Sequence, residues 1–253
     1  MPQKPYGMLC PISKACEILG PRWTIQVLTE LWSGSTRFND IRRGIGGISP
    51  GLLSKRLKEL EAAGLIERVE DRATGTVDYI RTKTGIALEP ALNALAEWAQ
   101  CHIDAEIALC DTNLSTLMWK MRRWIDVAEL PNRRVVFRFH FNESDLPYDT
   151  YWMVIQPGAL PELCTSDPGY DIDLYIETEV ISLGGIITGR TSIARELELG
   201  ALFLSGDARL ARTMDRWLPA TGYAQLRGIA TLPEKRKTDG ERLRALGDGL
   251  GVA

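Results

Sequence analysis

GISPGLLSKRLKELEAAGLIERV, running from Gly47 to Val69, decides how the first part of this chain folds. Ser49 is a good N-cap, and Pro50 suits the first helical position, where its missing N–H would have had no partner. Gly64 closes the run as a helix-terminating glycine. At about 100° per residue, Leu53, Leu57 and Leu60 fall on one stripe, which is enough for a core-facing helix. Gly51, Ser54, Lys55 and Lys58 lie opposite. Leu65 to Val69 then alternates as a half-buried strand. Glu70 to Thr76 is rich in turn formers, and Val77 to Ile80 returns as a partner strand.

A helix followed by a two-stranded hairpin is the second half of a winged helix-turn-helix, which lays one helix in the DNA major groove and sets the hairpin against the backbone. Charge agrees with this. From Arg37 to Lys58 there are six Lys or Arg residues and one acid, Asp40, in a chain of net charge −3. Phosphate neutralisation supplies most of the affinity of such a patch. The same basic face on an isolated helix reads equally well as a solvated surface. The expected DNA-facing residues are Arg37, Arg42, Arg43, Ser49, Pro50, Gly51, Ser54, Lys55 and Lys58, with Arg72 and Thr76 on the wing. Glu70 and Asp71 argue against a deeply inserted tip.

Motifs on either side extend the pattern. Cys10-Pro11 opens it, followed by Leu19-Gly20-Pro21-Arg22-Trp23-Thr24 and Leu28-Thr29-Glu30-Leu31. Arg37-Phe38-Asn39-Asp40-Ile41, Ile48 to Leu53, Leu57-Lys58-Glu59-Leu60, Gly64-Leu65-Ile66 and Tyr79 to Gly85 complete it. In this order they resemble the HxlR family of bacterial winged-helix regulators over roughly residues 8–105. Pro21 and Arg81-Thr82 depart from the family pattern, away from the expected DNA face. The resemblance implies a homodimer on a palindromic, double-stranded operator. Gly85 to Ile103 offers a means: a helix carrying Ile86, Leu88, Leu92, Leu95, Ala96, Trp98 and Ala99 over more than one stripe must bury them on its own domain, a partner or both. The alternative is that it packs on the C-terminal half.

Cys10, just before a helix, would have its thiolate favoured by nearby backbone N–H groups. Some regulators resembling this family sense oxidants at the Cys-Pro position. The other reading of Cys10 is a small buried apolar residue. Cys16 is out of register to be an obvious resolving partner. Five cysteines with no CxxC pair suit a reducing compartment. With only His102 and His140 present, no histidine-rich metal site is expected, and no cofactor is implied. The absence of a signal-peptide pattern or a long apolar run points to a cytoplasmic chain rather than a membrane one. No G-x-S-x-G elbow or phosphate loop stands in the sequence, so no enzymatic activity is expected.

Beyond a junction near Asp104 to Ser115 the balance turns acidic. Residues 106–230 carry 12 basic and 17 acidic side chains, a poor second surface for DNA. Leu114, Leu117, Met118, Met121 and Ile125 mark a helix. Arg134 to Phe141 alternates, with Val135, Phe137, Phe139 and Phe141 on one face. Strands are expected at Tyr151–Gln156, Ala159–Thr165, Ile172–Thr178 and Ala201–Ser205, and helices at Glu179–Ile187, Ser192–Leu199 and Asp207–Leu218. This order, and above all Gly189 to Arg195 and Gly200 to Asp207, resembles the sterol-carrier-protein type of lipid-binding domain over about residues 114–230. The resemblance implies an apolar cavity for a small lipophilic effector. Its candidate walls are Phe137, Phe139, Trp152, Leu174, Leu183, Ile187 and Phe203, residues that would equally serve a closed core. Gly184-Gly185 would mark a mobile portal or close packing.

The expected fold class is therefore α+β. A winged helix-turn-helix DNA-binding and dimerisation domain (8–105) precedes an α/β sterol-carrier-protein-like domain (114–230) and a flexible tail (231–253). Three readings of the whole remain at this point: a ligand-responsive regulator, a regulator whose second domain is only a dimer brace, and a lipid-carrier or enzyme-accessory protein whose winged helix serves assembly.

Overall fold

The computed structural model describes residues 5–143, 146–234 and 236. The chain forms two compact units that divide after Asn93. The first is built on four helices, α1 (Pro11–Leu19), α2 (Thr24–Trp32), α3 (Phe38–Ile45) and α4 (Pro50–Ala62). A hairpin of β1 (Ile66–Asp71) and β2 (Thr76–Arg81) follows, then α5 (Lys83–Ala87) and α6 (Glu89–His102). The core of this unit gathers Val27, Leu28 and Leu31 of α2, Ile41 of α3 and Leu53, Leu57 and Leu60 of α4. Truncating any one of these leucines to alanine removes on the order of 2–5 kcal/mol. α1 has no buried residue.

Local chemistry ends α4 as expected. The Leu52 N–H donates to Ser49 Oγ (3.3 Å), and Gly64 takes φ +69°. Gly64 N–H then reaches Glu61 O and Leu65 N–H reaches Leu60 O, the paired bonds of a Schellman turn. That turn delivers the chain into β1, where Leu65 meets α5. A Cβ at Gly85 would stand 2.1 Å from the carbonyl oxygen of Leu65. Gly85→Ala is therefore expected to destabilise the protein by about 1–3 kcal/mol or more. Urea unfolding checks this: an unshifted midpoint would mean that α5 moves aside at no cost.

Two expectations for this unit change. The first strand is not half-buried by alternation, because along β1 only Ile66 is inside, whereas β2 is half-buried over most of its length. The helix expected from Gly85 to Ile103 is broken into α5 and α6 around Leu88. Pro90 supplies the reason: it has no N–H to give to a preceding turn, which a helix tolerates only in its first turn, so a new helix starts at Glu89.

The second unit begins within α6. Gln100 Nε2 donates to Thr188 O, and the buried Arg190 guanidinium donates to the carbonyls of Ala99 and Ile103. Residues 94–105, assigned from sequence to the DNA-binding domain, thus pack with the second unit. After α7 (Ala105–Leu109) and α8 (Leu114–Met121) comes a five-stranded sheet. Its strands are β3 (Val135–Phe141), β4 (Thr150–Ile155), β5 (Glu162–Cys164), β6 (Leu174–Thr178) and β7 (Leu202–Gly206). They lie in the order β5-β4-β3-β6-β7, with β3 and β6 parallel and the other pairs antiparallel.

Helices α9 (Val180–Thr188) and α10 (Ile193–Glu198) precede β7, and α11 (Ala208–Arg212) and α12 (Met214–Trp217) follow it. The single closing helix expected from Asp207 to Leu218 is thus two short ones, parted at Thr213. Trp217 stacks on Phe137 at 4.3 Å between centroids and gives its indole N–H to Leu210 O. α9 is buried from Val180 to Ile187, as befits a helix apolar all round. Close packing accounts for its two glycines. A Cβ at Gly184 would stand 3.2 Å from Leu109, and one at Gly185 would stand 2.7 Å from Leu232 and 2.9 Å from Thr191.

The segment expected to open a flexible tail is docked over its described residues. Leu232 is 1% exposed, in a cluster with Ala105, Leu109 and Ile181. Arg236 pairs with Glu179 and with the fully buried Glu196. The short helix expected at Glu241–Leu246 lies outside the described residues.

Candidate nucleic-acid interface

α4 separates its two faces cleanly. Leu53, Arg56, Leu57 and Leu60 are buried, whereas Pro50, Gly51, Ser54, Lys55 and Lys58 are exposed. Lys55 Nζ lies 3.9 Å from Glu59 Oε1, a loose i,i+4 contact. Among the described residues Lys58 has no carboxylate partner. A Cβ added to Gly51 would meet nothing within 4 Å, so packing inside the protein does not require a glycine there. Arg42 and Arg43 are exposed in the last turn of α3, where cations suit the helix dipole. Arg43 makes a 3.9 Å contact with Asp40. The structure therefore brings most of the expected residues to α4 and the end of α3.

Arg56 belongs to the six basic residues that made this region look like a phosphate-binding patch, but it faces inward. Its Nε donates to Arg22 O at 2.8 Å, and its guanidinium pairs with Glu59. This holds α4 to the Gly20–Trp23 bend, where Trp23 takes the left-handed φ of 77°. The helical spacing carried the signal, since Arg56 is three residues after Leu53 and next to Leu57 on the leucine stripe.

Arg37 also has a structural contact. Its Nε lies 2.7 Å from Asp78 Oδ1, which the Thr36 hydroxyl reaches at 2.6 Å. With Tyr79 N–H donating to Thr36 O, these bonds fasten the start of α3 to β2 and fix the base of the hairpin. Sequence reading missed this latch, because nothing in the spacing of residues 36 and 78 announces it.

At the hairpin tip Arg72 is exposed. Thr76 is half-buried, its hydroxyl 2.7 Å from that of Thr74. Asp71 folds the tip: its carboxylate accepts from the Thr74 hydroxyl and the Ala73 N–H, and these bonds hold its pKa below the ordinary value. Glu70 is paired with Arg68 at 3.0 Å. Both acids at the tip therefore have partners inside the hairpin.

Cys10 is the exposed N-cap of α1, not a buried apolar residue. The backbone N–H groups of Ser13 and Ile12 hold its thiol below the ordinary range. In the second unit, Phe137, Phe139, Leu174, Leu183 and Ile187 are packed in the closed core, Trp152 is half-buried and Phe203 is 55% exposed. A cavity of about 710 Å³ lies elsewhere, among α9, α10, β7, α11 and α12, and none of the seven lines it.

Comparison with known proteins bears on the first unit. Residues 18–107 match the family described as HxlR-like helix-turn-helix. The HTH-type transcriptional regulator YvaP of Bacillus subtilis (strain 168) is 38% identical over 98 residues, which span 38% of this chain and 91% of YvaP. The chain belongs to the HxlR-like helix-turn-helix family. A second relative, an HTH-type transcriptional regulator of Methanothermobacter thermautotrophicus, is 37% identical over 37% of this chain and 72% of its own length. The solved structure of the reduced transcriptional regulator YodB from B. subtilis shows 34% identity over 38% of this chain and 96% of YodB, with a TM-score of 0.35. These relatives are named as transcriptional regulators. The HxlR-like match ends at residue 107, so most of the second unit lies beyond it. No helix among the described residues is long and apolar enough to cross a membrane.

Proposed function

We propose that this HxlR-like protein regulates transcription as a homodimer on a palindromic double-stranded operator, with α4 as the helix that enters the major groove. The observation that carries the reading is the exposed row Gly51, Ser54, Lys55 and Lys58, opposite a fully buried leucine stripe. Ser49 and Pro50 bring the first turn of α4 to the same side, with Arg42 and Arg43 contributing phosphate contacts. Arg72 supplies the wing contact, with Thr76 beside it. Arg37 contributes less than its charge suggests, because Asp78 engages it.

Support for the dimer comes from apolar groups left outside. α1 buries nothing and exposes Ile12 and Ile18, and α6 leaves Leu95 and Trp98 each 57% exposed. Repression by occlusion of the operator is the reading we adopt. Footprinting on genomic DNA tests it: two protected half-sites should appear about one helical turn, or a small multiple of it, apart. Protection of a single half-site, or none at defined sequences, would overturn it.

The second unit, in this proposal, is a sterol-carrier-protein-like domain that holds a small lipophilic effector. Its succession of strands and helices, with a five-stranded sheet covered by helices, supports the assignment. Cys10 adds an oxidant response. Its exposure and lowered thiol pKa favour the reactive thiolate. Cys10→Ser should leave DNA binding intact and abolish any response to peroxide, diamide or quinones. A wild-type protein whose DNA affinity ignores all three oxidants removes this role.

A further inference from the structure

The cavity of about 710 Å³ has walls of Ile186, Ile193, Leu197, Leu204, Met214 and Leu218. Its size falls within the range of about 300–1,000 Å³ usual for small-molecule sites. The polar groups on its lining are already engaged or balanced. Thr191 Oγ1 donates to Glu196 at 2.6 Å, and Ser192 Oγ caps α10 by accepting from Arg195 N–H at 3.2 Å. Arg212 and Asp215, both exposed, carry opposite charges and leave the lining with no net charge. A ligand here gains by covering apolar surface and finds few groups that need a hydrogen bond.

The turn that borders this cavity has a second face. Gly189, Thr191 and Ser192 line the cavity, whereas Arg190 between them is 3% exposed. Its guanidinium donates to Ile103 O at 3.1 Å, Ala99 O at 3.3 Å and Ala230 O at 2.9 Å. Ala99 is in the last turn of α6 and Ile103 directly follows it, at a helix C-terminus where a cation is favoured; Ala99 O also accepts from Ile103 N–H. The turn is also held tightly. Gly189 has φ +74°, and a Cβ there would stand 2.3 Å from Ala224 Cβ. Arg190 N–H bonds Gly185 O, and Arg190 O accepts from Leu232 N–H. A group pinned on every side transmits a displacement instead of absorbing it.

We propose that this cavity is the effector site, that it takes a compact, uncharged, largely apolar molecule, and that Arg190 reports its occupancy to the end of α6. This rests on the reading of the second unit as a ligand-holding domain, and it places the ligand away from the phenylalanine-lined core. Coupling then needs only a change in the three carbonyl contacts of one side chain.

The test uses the full chain and the uncharged probe N-phenyl-1-naphthylamine, with its anionic analogue anilinonaphthalene sulfonate for comparison. The uncharged probe should bind saturably, and Ala211→Trp, which fills the cavity, should weaken it at least about tenfold. Circular dichroism and the thermal midpoint establish that this variant folds, and Leu197→Glu serves in its place if it does not. Hydrogen exchange should change at the end of α6 when probe is added to the wild type, with the amides of β3 as the unchanged reference. Arg190→Lys, which keeps the charge but cannot span three carbonyls, should bind probe and lose that change.

Probe binding that Ala211→Trp blocks, without any change in α6, would overturn the reporting role and leave the cavity assignment standing. Absent binding would overturn the effector reading together with the site, whereas binding that neither Ala211→Trp nor Leu197→Glu weakens would overturn this site and leave the effector reading standing with the ligand held elsewhere. Tighter binding of the anionic probe would overturn the assignment to uncharged ligands. If Arg190→Lys fails to fold, the wild-type comparison of α6 with β3 alone decides.

Discussion

Replacing Lys55 and Lys58 together with alanine should weaken operator binding about thirtyfold at 0.15 M salt. The figure follows from counterion release: two lost phosphate contacts, each worth about 0.9 in the slope of log K against log salt, amount to about 1.5 in log K at that concentration. The salt dependence itself should flatten by nearly two. Both lysines are exposed on the face of α4 opposite its buried leucines, so folding should hardly notice the change. Arg56→Ala makes the contrasting control. Because Arg56 is buried against Arg22 O and Glu59, its removal should lower the unfolding midpoint first. Electrophoretic or fluorescence titrations at several salt concentrations measure all of this. Unchanged affinity and slope in the double variant would remove α4 from the DNA interface.

The second large effect is expected at Arg236→Ala. Glu196 is fully buried, and Arg236 pairs with it while also donating to Ser182. Removing one partner of a buried pair costs about 3–5 kcal/mol, and the lower end applies here because Thr191 still donates to the carboxylate. The pH dependence should change sign as well. In the wild type, burial works to raise the pKa of Glu196. The bonds from Thr191, Arg236 and Ser182 outweigh burial and leave the pKa below its ordinary value. A depressed folded-state pKa contributes stability that is present above the ordinary value and lost as pH falls through the folded one.

Without Arg236, burial gains the upper hand and the folded-state pKa should move above the ordinary value. Stability from this group is then present at low pH and lost as pH rises through the raised pKa. Urea unfolding of both proteins between about pH 2.5 and pH 7 reads the two opposite slopes, the wild type's below the ordinary glutamate value and the variant's above it. Parallel curves would show that Arg236 does not govern Glu196.

Much of the fold was legible because its signals are local. Ser49, Pro50 and Gly64 bound α4 through bonds made within a few residues. The alternation of Val135, Phe137, Phe139 and Phe141 announces β3 because that strand has one wholly apolar face. Side-chain direction along a helix is equally readable: the spacing that turns Leu53 and Leu57 inward also turns Arg56 inward, which a count of charges does not reveal. Other features depend on partners far away in sequence. Asp78 recruits Thr36 and Arg37, and Arg190 draws residues 99–103 into the second unit. The pocket among α9 to α12 was not legible for a related reason: large apolar residues announce burial, but an open pocket depends on where short helices such as α10 and α12 leave a gap.

Gly51 deserves a last consequence. An alanine there would have room on every side and would strengthen the helix by up to about 1 kcal/mol. Folding alone therefore argues against the residue that stands there. What the glycine leaves is a bare stretch of main chain on the outer face of α4, where another backbone can come closer than any side chain would permit. On the role proposed for α4, the fold concedes stability at a surface whose task lies outside the fold.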